Sequence, residues 1–131
     1  MPAAIDTSIL VQAEREGGLA LVLPQDENGP FYIPALAAAE FLLGTHPPVK
    51  DNLRYRALLI YQGELRRLVS SFTEADAMQL ASLSAELKRQ GQQMKFFDAG
   101  IAATVMARGD KLITADGDFD RLGNQITLIK V

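Results

Sequence analysis

The chain has 131 residues, 48% hydrophobic and 22% charged, with a formal net charge of −3 at pH 7 and no cysteine. The length predicts a single domain spanning residues 1–131 with a sizeable core, and the missing thiols exclude disulfides, cysteine catalysis and thiolate metal sites. The acidic balance runs against the basic surplus usual in nucleic-acid binders, no apolar run is long enough to cross a bilayer, and MPAAIDTSIL lacks the basic start of a secretion signal, so a cytoplasmic protein is expected.

Residues 3–6 read as a short strand, and Thr7 or Ser8 can cap the helix expected over 9–16. Gly17-Gly18 stops that helix. Residues 19–23, LALVL, are too short to separate helix from strand by pattern, and the order of elements favours a short helix. An acidic loop ends at Pro30, residues 31–33 form the second strand, and Pro34 suits the first turn of a mostly apolar helix over 35–43. Gly44 ends it. His46, the sole histidine, falls in a turn. Residues 49–69 read as one long helix, with Leu53, Ala57, Tyr61, Leu65 and Leu68 at spacings of three and four. Thr73 caps the next helix, with Asp76 three residues on as a weak capping box, and Gly91 closes it near residue 90. After a connector, Phe96-Phe97 anchors the chain ahead of a helix that starts at Asp98 and stops at Gly109. A strand over 111–114, an acidic loop and a last strand over 126–131 complete the chain.

The acids carry the chemistry. A strand that runs straight into Asp116, Asp118 and Asp120 delivers carboxylates to a carboxyl end, where open α/β sheets build their sites. Carboxylates gathered there repel one another unless a cation neutralises them. Asp6 follows the first apolar run. Glu40 stands in an apolar helix, where an unpaired buried carboxylate costs several kcal/mol; it is there as a metal ligand, as half of a salt bridge, or at a helix end near solvent. Asp98 can be a helix N-cap or a ligand. Asp120 reads as a turn cap or a solvent-facing charge. Basic residues cluster at Lys50, Arg54 and Arg56, at Arg66 and Arg67, at Lys88 and Arg89, and at Arg108 and Lys111, most simply as solvated helix faces.

The set Asp6-Thr7-Ser8, Ala39-Glu40-Phe41-Leu42, the run 98–104 (DAGIAAT) and the run 114–119 (TADGDF) resembles the PIN-domain family, and within it the VapC-type ribonuclease toxins of toxin–antitoxin pairs. Order, spacing and chain length carry the resemblance together, over nearly the whole chain. It implies that Asp6, Glu40, Asp98 and Asp116 are the acidic catalytic and metal-binding set, with Asp118 a further ligand through water. It also implies single-stranded RNA as substrate, cut to a 5′-phosphate and a 3′-hydroxyl, a homodimer, and an antitoxin partner whose basic or arginine-bearing tail covers the acids. The family often carries Ser or Thr at the start of the second-strand helix, where this chain has Pro34 and Ala35.

The element order predicts an α/β fold, a three-layer α/β/α PIN-like domain with a mostly parallel sheet, and Asp6 and Asp116 at the carboxyl ends of neighbouring strands. Oxygen donors with no Cys and no usable His pair suit Mg²⁺ or Mn²⁺ over Zn²⁺. No nucleophile with a paired base is in view, so direct attack by water is the simpler route. Thr7, Ser8 and Thr114 can orient a carboxylate or a water, or serve as cap and strand-end hydrogen bonds. Two other classes compete: an Asp-dependent phosphohydrolase, against which Ser8 stands where a second acid would be wanted, and a non-catalytic α/β partner-binding domain.

Overall fold

A computed structural model describes residues 1–131. Five strands, β1 Ala3–Ile5, β2 Phe31–Pro34, β3 Val69–Ser70, β4 Lys111–Thr114 and β5 Thr127–Lys130, form one sheet. Its order is β3-β2-β1-β4-β5 and every neighbouring pair is parallel, so the mostly parallel sheet expected from the element order is wholly so. The helices are α1 Thr7–Glu16, α2 Ala35–Leu43, α3 Asp51–Ile60, α4 Glu74–Arg89 and α5 Phe96–Arg108. Chain direction across the sheet reverses at β1. The connections from β1 to β3 move one way and the crossover from β3 to β4 moves the other. Right-handed crossovers then put α1 and α5 on opposite faces, giving the three-layer α/β/α arrangement. The point of reversal, between the carboxyl ends of β1 and β4, is where such sheets open a crevice.

β1 sits in the middle of the sheet, and Ala3, Ala4 and Ile5 are fully buried. That is why its sequence is a short unbroken apolar run rather than an alternating one. Its register is fixed by Ala3 opposite Lys111 and Ile5 opposite Ile113, and the ladder continues one step further through Asp6 N–H to the Ile113 carbonyl at 3.0 Å. The core packs Ile9, Leu10, Ile33, Leu65, Ile101, Leu112, Ile113 and Phe119 around this strand. Gly100 lets α5 approach α2 closely: a Cβ there would lie 2.1 Å from Leu36 Cδ1.

Several local expectations change. The cap of α1 is Asp6, not Thr7 or Ser8, because Asp6 leaves β1 in an extended conformation and its carboxylate accepts from Ser8 N–H. The short run at 19–23 is a 3₁₀ turn over Leu19–Leu21, as the element order favoured. The single helix over 49–69 breaks up: α3 ends at Ile60, a π turn follows over Tyr61–Leu65, a 3₁₀ turn over Arg66–Leu68, and then β3. Glu64 explains part of the change, since its Oε1 reaches across to accept from Leu19 N–H at 2.7 Å. β3 exists because Val69 and Ser70 pair with Ile33 and Pro34, a tertiary contact with no local signal. Phe96 and Phe97 are already helical, so Asp98 lies in the first turn of α5 rather than at its cap, which is Lys95. Thr73 and Asp76 form a complete capping box.

Arg108, at the end of α5, ties these outer parts together. Its guanidinium donates to Ser70 Oγ at 2.8 Å, to the Ser71 carbonyl at 2.9 Å and to Asp76 Oδ2 at 3.2 Å. It also lies 4.9 Å from the centre of the Tyr32 ring, a cation–π contact. Tyr32 in turn donates to Asp110 Oδ2 at 2.8 Å, and burial followed by that carboxylate raises its phenol pKa. Asp76 is 1% exposed and its Oδ1 has no partner, so Arg108 is the only cation answering a buried charge. Arg108→Ala is expected to lower unfolding stability by about 2–4 kcal/mol, as for stripping one partner from a largely buried pair, read from urea midpoints. Arg108→Lys should recover only part of this, because an ammonium lacks the planar fork.

Candidate metal centre

Four elements deliver acids to the crevice. Asp6 caps α1 directly after β1. Asp116 caps the 3₁₀ segment Gly117–Gln125, which follows β4, and its carboxylate accepts from Asp118 N–H at 2.9 Å. Asp98 projects from the first turn of α5. Glu40 comes from α2, half buried. The structure brings every one of these together. Carboxylate oxygens of Asp98, Asp116 and Asp118 lie within 4.8 Å of one another. Asp6, Glu40, Asp98 and Asp116 line one cavity of about 200 Å³ with Thr7, Ser8 and Val11. Asp98 and Asp118 also face a second cavity, of about 280 Å³, with Gln93, Met94, Lys95 and Arg121.

Asp6 is held most firmly. It is 2% exposed, and its Oδ2 accepts from Ser8 Oγ and Thr114 Oγ1, each at 2.7 Å, and from Ser8 N–H at 3.4 Å. Both hydroxyl protons are thereby committed. Their oxygens then accept, Ser8 Oγ from Ala115 N–H at 3.0 Å and Thr114 Oγ1 from Asp116 N–H at 2.9 Å. The 3.4 Å approach of the two hydroxyls therefore carries no proton of its own. Every one of these bonds goes to Oδ2, which leaves Oδ1 free for a ligand. Thr7 plays a different part, its hydroxyl donating to the Ala37 carbonyl at 3.5 Å, a long link between α1 and α2.

The remaining acids have fewer counterweights. Glu40 enters no ion pair, so the salt-bridge reading of this residue is not what the structure shows. Asp120 does pair, with Lys130 Nζ at 2.7 Å, well exposed, and stands outside the cluster. Asp98 is 5% exposed. Burial first, then the charges of Asp116, Glu40, Asp6 and Asp118, push its carboxyl up to about 6. Asp6 is also raised by burial, against the opposing pull of its Ser8 and Thr114 hydrogen bonds.

Carboxylates that keep their charge only at mutual cost, with oxygen donors and neither Cys nor His among them, fit a hard divalent ion such as Mg²⁺ or Mn²⁺. Asp98, Asp116 and Asp118 are the nearest set of donors, with Asp6 and Glu40 across the cavity. Sequence reasoning missed Lys95 and Arg121 beside them. The available signal was Lys95-Phe96-Phe97-Asp98, a cation and two aromatics adjoining a candidate ligand.

The PIN domain family model matches residues 3–125. No curated protein matches the chain. Among solved structures, a chain of VapBC2 from Rickettsia felis bound to a DNA fragment from the promoter superposes with a TM-score of 0.80 at 20% identity, covering 100% of this chain and 99% of that one. A chain of VapBC-5 from Mycobacterium tuberculosis, of the VapBC family of toxin–antitoxin systems, gives 0.76 at 22% identity with 100% of both chains covered. A chain of DNA-bound VapBC from Salmonella typhimurium gives 0.81 at 18% identity, covering 99% and 98%. These likenesses establish the fold.

Between the ordinary carboxyl value of 3.8 and about 6, the folded protein keeps a proton on Asp98 that the unfolded chain has lost. The native state binds more protons in that window, so stability of metal-free protein falls as pH rises through it. Asp98→Asn should flatten this slope and leave the metal-free variant more stable than the parent above pH 6, as measured by thermal unfolding in EDTA from pH 4 to 8. Thr114→Val removes one donor from Asp6 and the acceptor of Asp116 N–H. It is expected to cost about 1–3 kcal/mol in urea unfolding.

Proposed function

The chain belongs to the PIN-domain family, and on that footing we propose that it is a metal-dependent endoribonuclease, the toxin of a VapC-type toxin–antitoxin pair. The observation that carries this reading is the meeting of Asp6, Glu40, Asp98, Asp116 and Asp118 around one crevice at the switch point of the sheet. Asp98 and Asp116 would be the central ligands, with Asp118 beside them, directly or through water, and Asp6 and Glu40 completing the set. A bound Mg²⁺ or Mn²⁺ supplies Lewis-acid activation of water and neutralises charge on the scissile phosphate.

The chain's own groups fix the geometry. Ser8 and Thr114 hold Asp6 by one oxygen and present the other to the cavity. Ser8 acts here as a structural link, its hydroxyl donating to Asp6 and its oxygen accepting Ala115 N–H. His46, the sole histidine, is exposed after α2, so no imidazole base stands beside a hydroxyl. Water is left as the attacking group. Ser8 also occupies the position where an Asp-dependent phosphohydrolase would want its second acid, which disfavours that reading.

The partners follow from the same reading. The substrate is single-stranded RNA. The antitoxin is a protein with a basic or arginine-bearing segment that covers the acids, and the toxin pairs as a homodimer in the cytoplasm. The shared fold with VapBC structures supports the toxin role. Leu43, Tyr55 and Leu59, large apolar side chains left exposed on α2 and α3, support protein contact there. No helix is long and apolar enough to cross a membrane. Residues 1–131 act as one nuclease domain.

Purified protein should cleave total RNA with Mn²⁺ or Mg²⁺ and not in EDTA. Asp98→Asn, which keeps the shape and drops the charge, is expected to lower the rate by about 100-fold or more, since several kcal/mol of charge stabilisation ride on the ion. Cleavage that persists in EDTA, or in the folded variant, refutes the assignment.

A further inference from the structure

Beside the acids, the chain opens into a trough of different character from the cleft between α1 and α2. The cavity of about 280 Å³ that contains Asp98, Asp118, Lys95 and Arg121 shares Gln93 and Met94 with a neighbouring cavity of about 390 Å³. That second cavity runs along the α4–α5 connector and adds Ser84, Leu87, Lys88, Gly91 and Gln92. Apart from the two site acids, every charged residue along the trough is a cation: Lys88, Lys95 and Arg121. Arg121 is fixed in place, its Nε donating to the Asp118 carbonyl at 3.2 Å and its Nη1 to the Gln93 carbonyl, so its charge is not consumed by a carboxylate. Neither Lys88 nor Lys95 has an acidic partner. Phe96, next to Lys95 in the chain, is 64% exposed and stands edge-on to Phe97 with ring centres 5.6 Å apart.

The cleft on the other side of the acids differs. Through Val11 it meets a cavity lined by Phe41, Val49, Leu53 and Ala57, where Glu14 pairs with Arg56 at 2.8 Å. That side is the more apolar and carries one ion pair and one unpaired cation, Arg15. The trough carries three cations, none of them in an ion pair.

A row of unpaired cations starting at a phosphate-cutting centre, with amide side chains between them and an exposed aromatic next in the chain to Lys95, has the composition of a single-strand track. Cations follow the backbone while bases stack on an aromatic face. We propose that this trough seats the single-stranded nucleic acid flanking the scissile phosphate. Lys95 and Arg121 take the two phosphates nearest the acids, Lys88 a third farther along, and Phe96 stacks a base. The inference rests on the nuclease reading for the position of the scissile bond. It adds positioning residues outside the acidic set and puts three unpaired cations, Lys88, Lys95 and Arg121, on one path that leads to the acids.

The test is binding of a fluorescein-labelled, mixed-sequence 12-nucleotide single-stranded RNA, followed by anisotropy in EDTA and again with Ca²⁺, beside cleavage kinetics with Mn²⁺. Lys88→Ala/Lys95→Ala/Arg121→Ala should weaken binding by at least tenfold and reduce the slope of log Kd against log salt by about 2, the share of three single-strand phosphate contacts. In cleavage it should raise KM with kcat little changed. Phe96→Ala should weaken binding about tenfold with no change in slope. Because Arg121 also braces two backbone carbonyls, Lys88→Glu/Lys95→Glu is the second variant, expected to lose binding with Arg121 intact. Arg66→Ala/Arg67→Ala, on a separate cavity lined by Gln62, Gly63 and Glu64, is the control and should bind as the parent does. Parent protein that binds no RNA, or trough variants that are folded and bind with unchanged Kd and salt slope, overturn the proposal and leave the trough to a protein segment. Binding that follows these expectations without any cleavage by the parent supports the track and counts against the nuclease reading alone.

Discussion

Like charges forced together in a poorly solvated crevice are the constraint around which this molecule is arranged. Asp98, Asp116 and Asp118 place carboxylate oxygens within 4.8 Å of one another, and Asp6 and Glu40 add to the same field. Such a cluster opposes folding, because each buried carboxylate loses hydration and repels the next. The fold answers it selectively. Asp6 is given three donors on one oxygen. Asp98 is given none from a side chain and holds its proton longer instead. Residues that break local rules without evident gain are expected at functional sites, and Asp98 and Glu40 are the places where this chain does so.

What supports the cluster is a scaffold made stiff at a few contacts. The Thr114 hydroxyl joins the end of β4, the cap of α1 and the start of the acidic loop in one hydrogen-bonded unit. Gly100 brings α5 against Leu36 of α2, which sets how far Asp98 and Glu40 stand apart. Arg108, at the far end of α5, gathers β3 and α4. One helix thus carries an acid at its first turn and the main structural cation at its last. Movement of that helix would disturb both ends together.

Much of this was legible in the chain. The unbroken apolar run of β1, the strand leading into TADGDF and the apolar helix around Glu40 are local patterns, and they placed the acids on the right elements at the right ends. The capping box at Thr73 and Asp76 was equally visible. What stayed hidden depends on partners distant in sequence. Val69 and Ser70 become a strand only through Ile33 and Pro34. The long helix gives way to a π turn where Glu64 finds Leu19. Asp6 takes over the cap because β1 fixes its backbone, and the helix reaches back to Phe96 without a side-chain cap to announce it. The approach of Lys95 and Arg121 joins residues far apart in the chain, which periodicity cannot see.

At only two residues, β3 offers an incoming strand almost nothing to pair with. Arg108 occupies Ser70 Oγ and the Ser71 carbonyl beside it, and the opposite border of the sheet ends in Lys130, held against Asp120. The β3 rim is therefore a poor template for sheet extension, the route by which parallel sheets run on into fibrils. The surface left open lies on the helices, where Leu43, Tyr55 and Leu59 of α2 and α3 stand exposed.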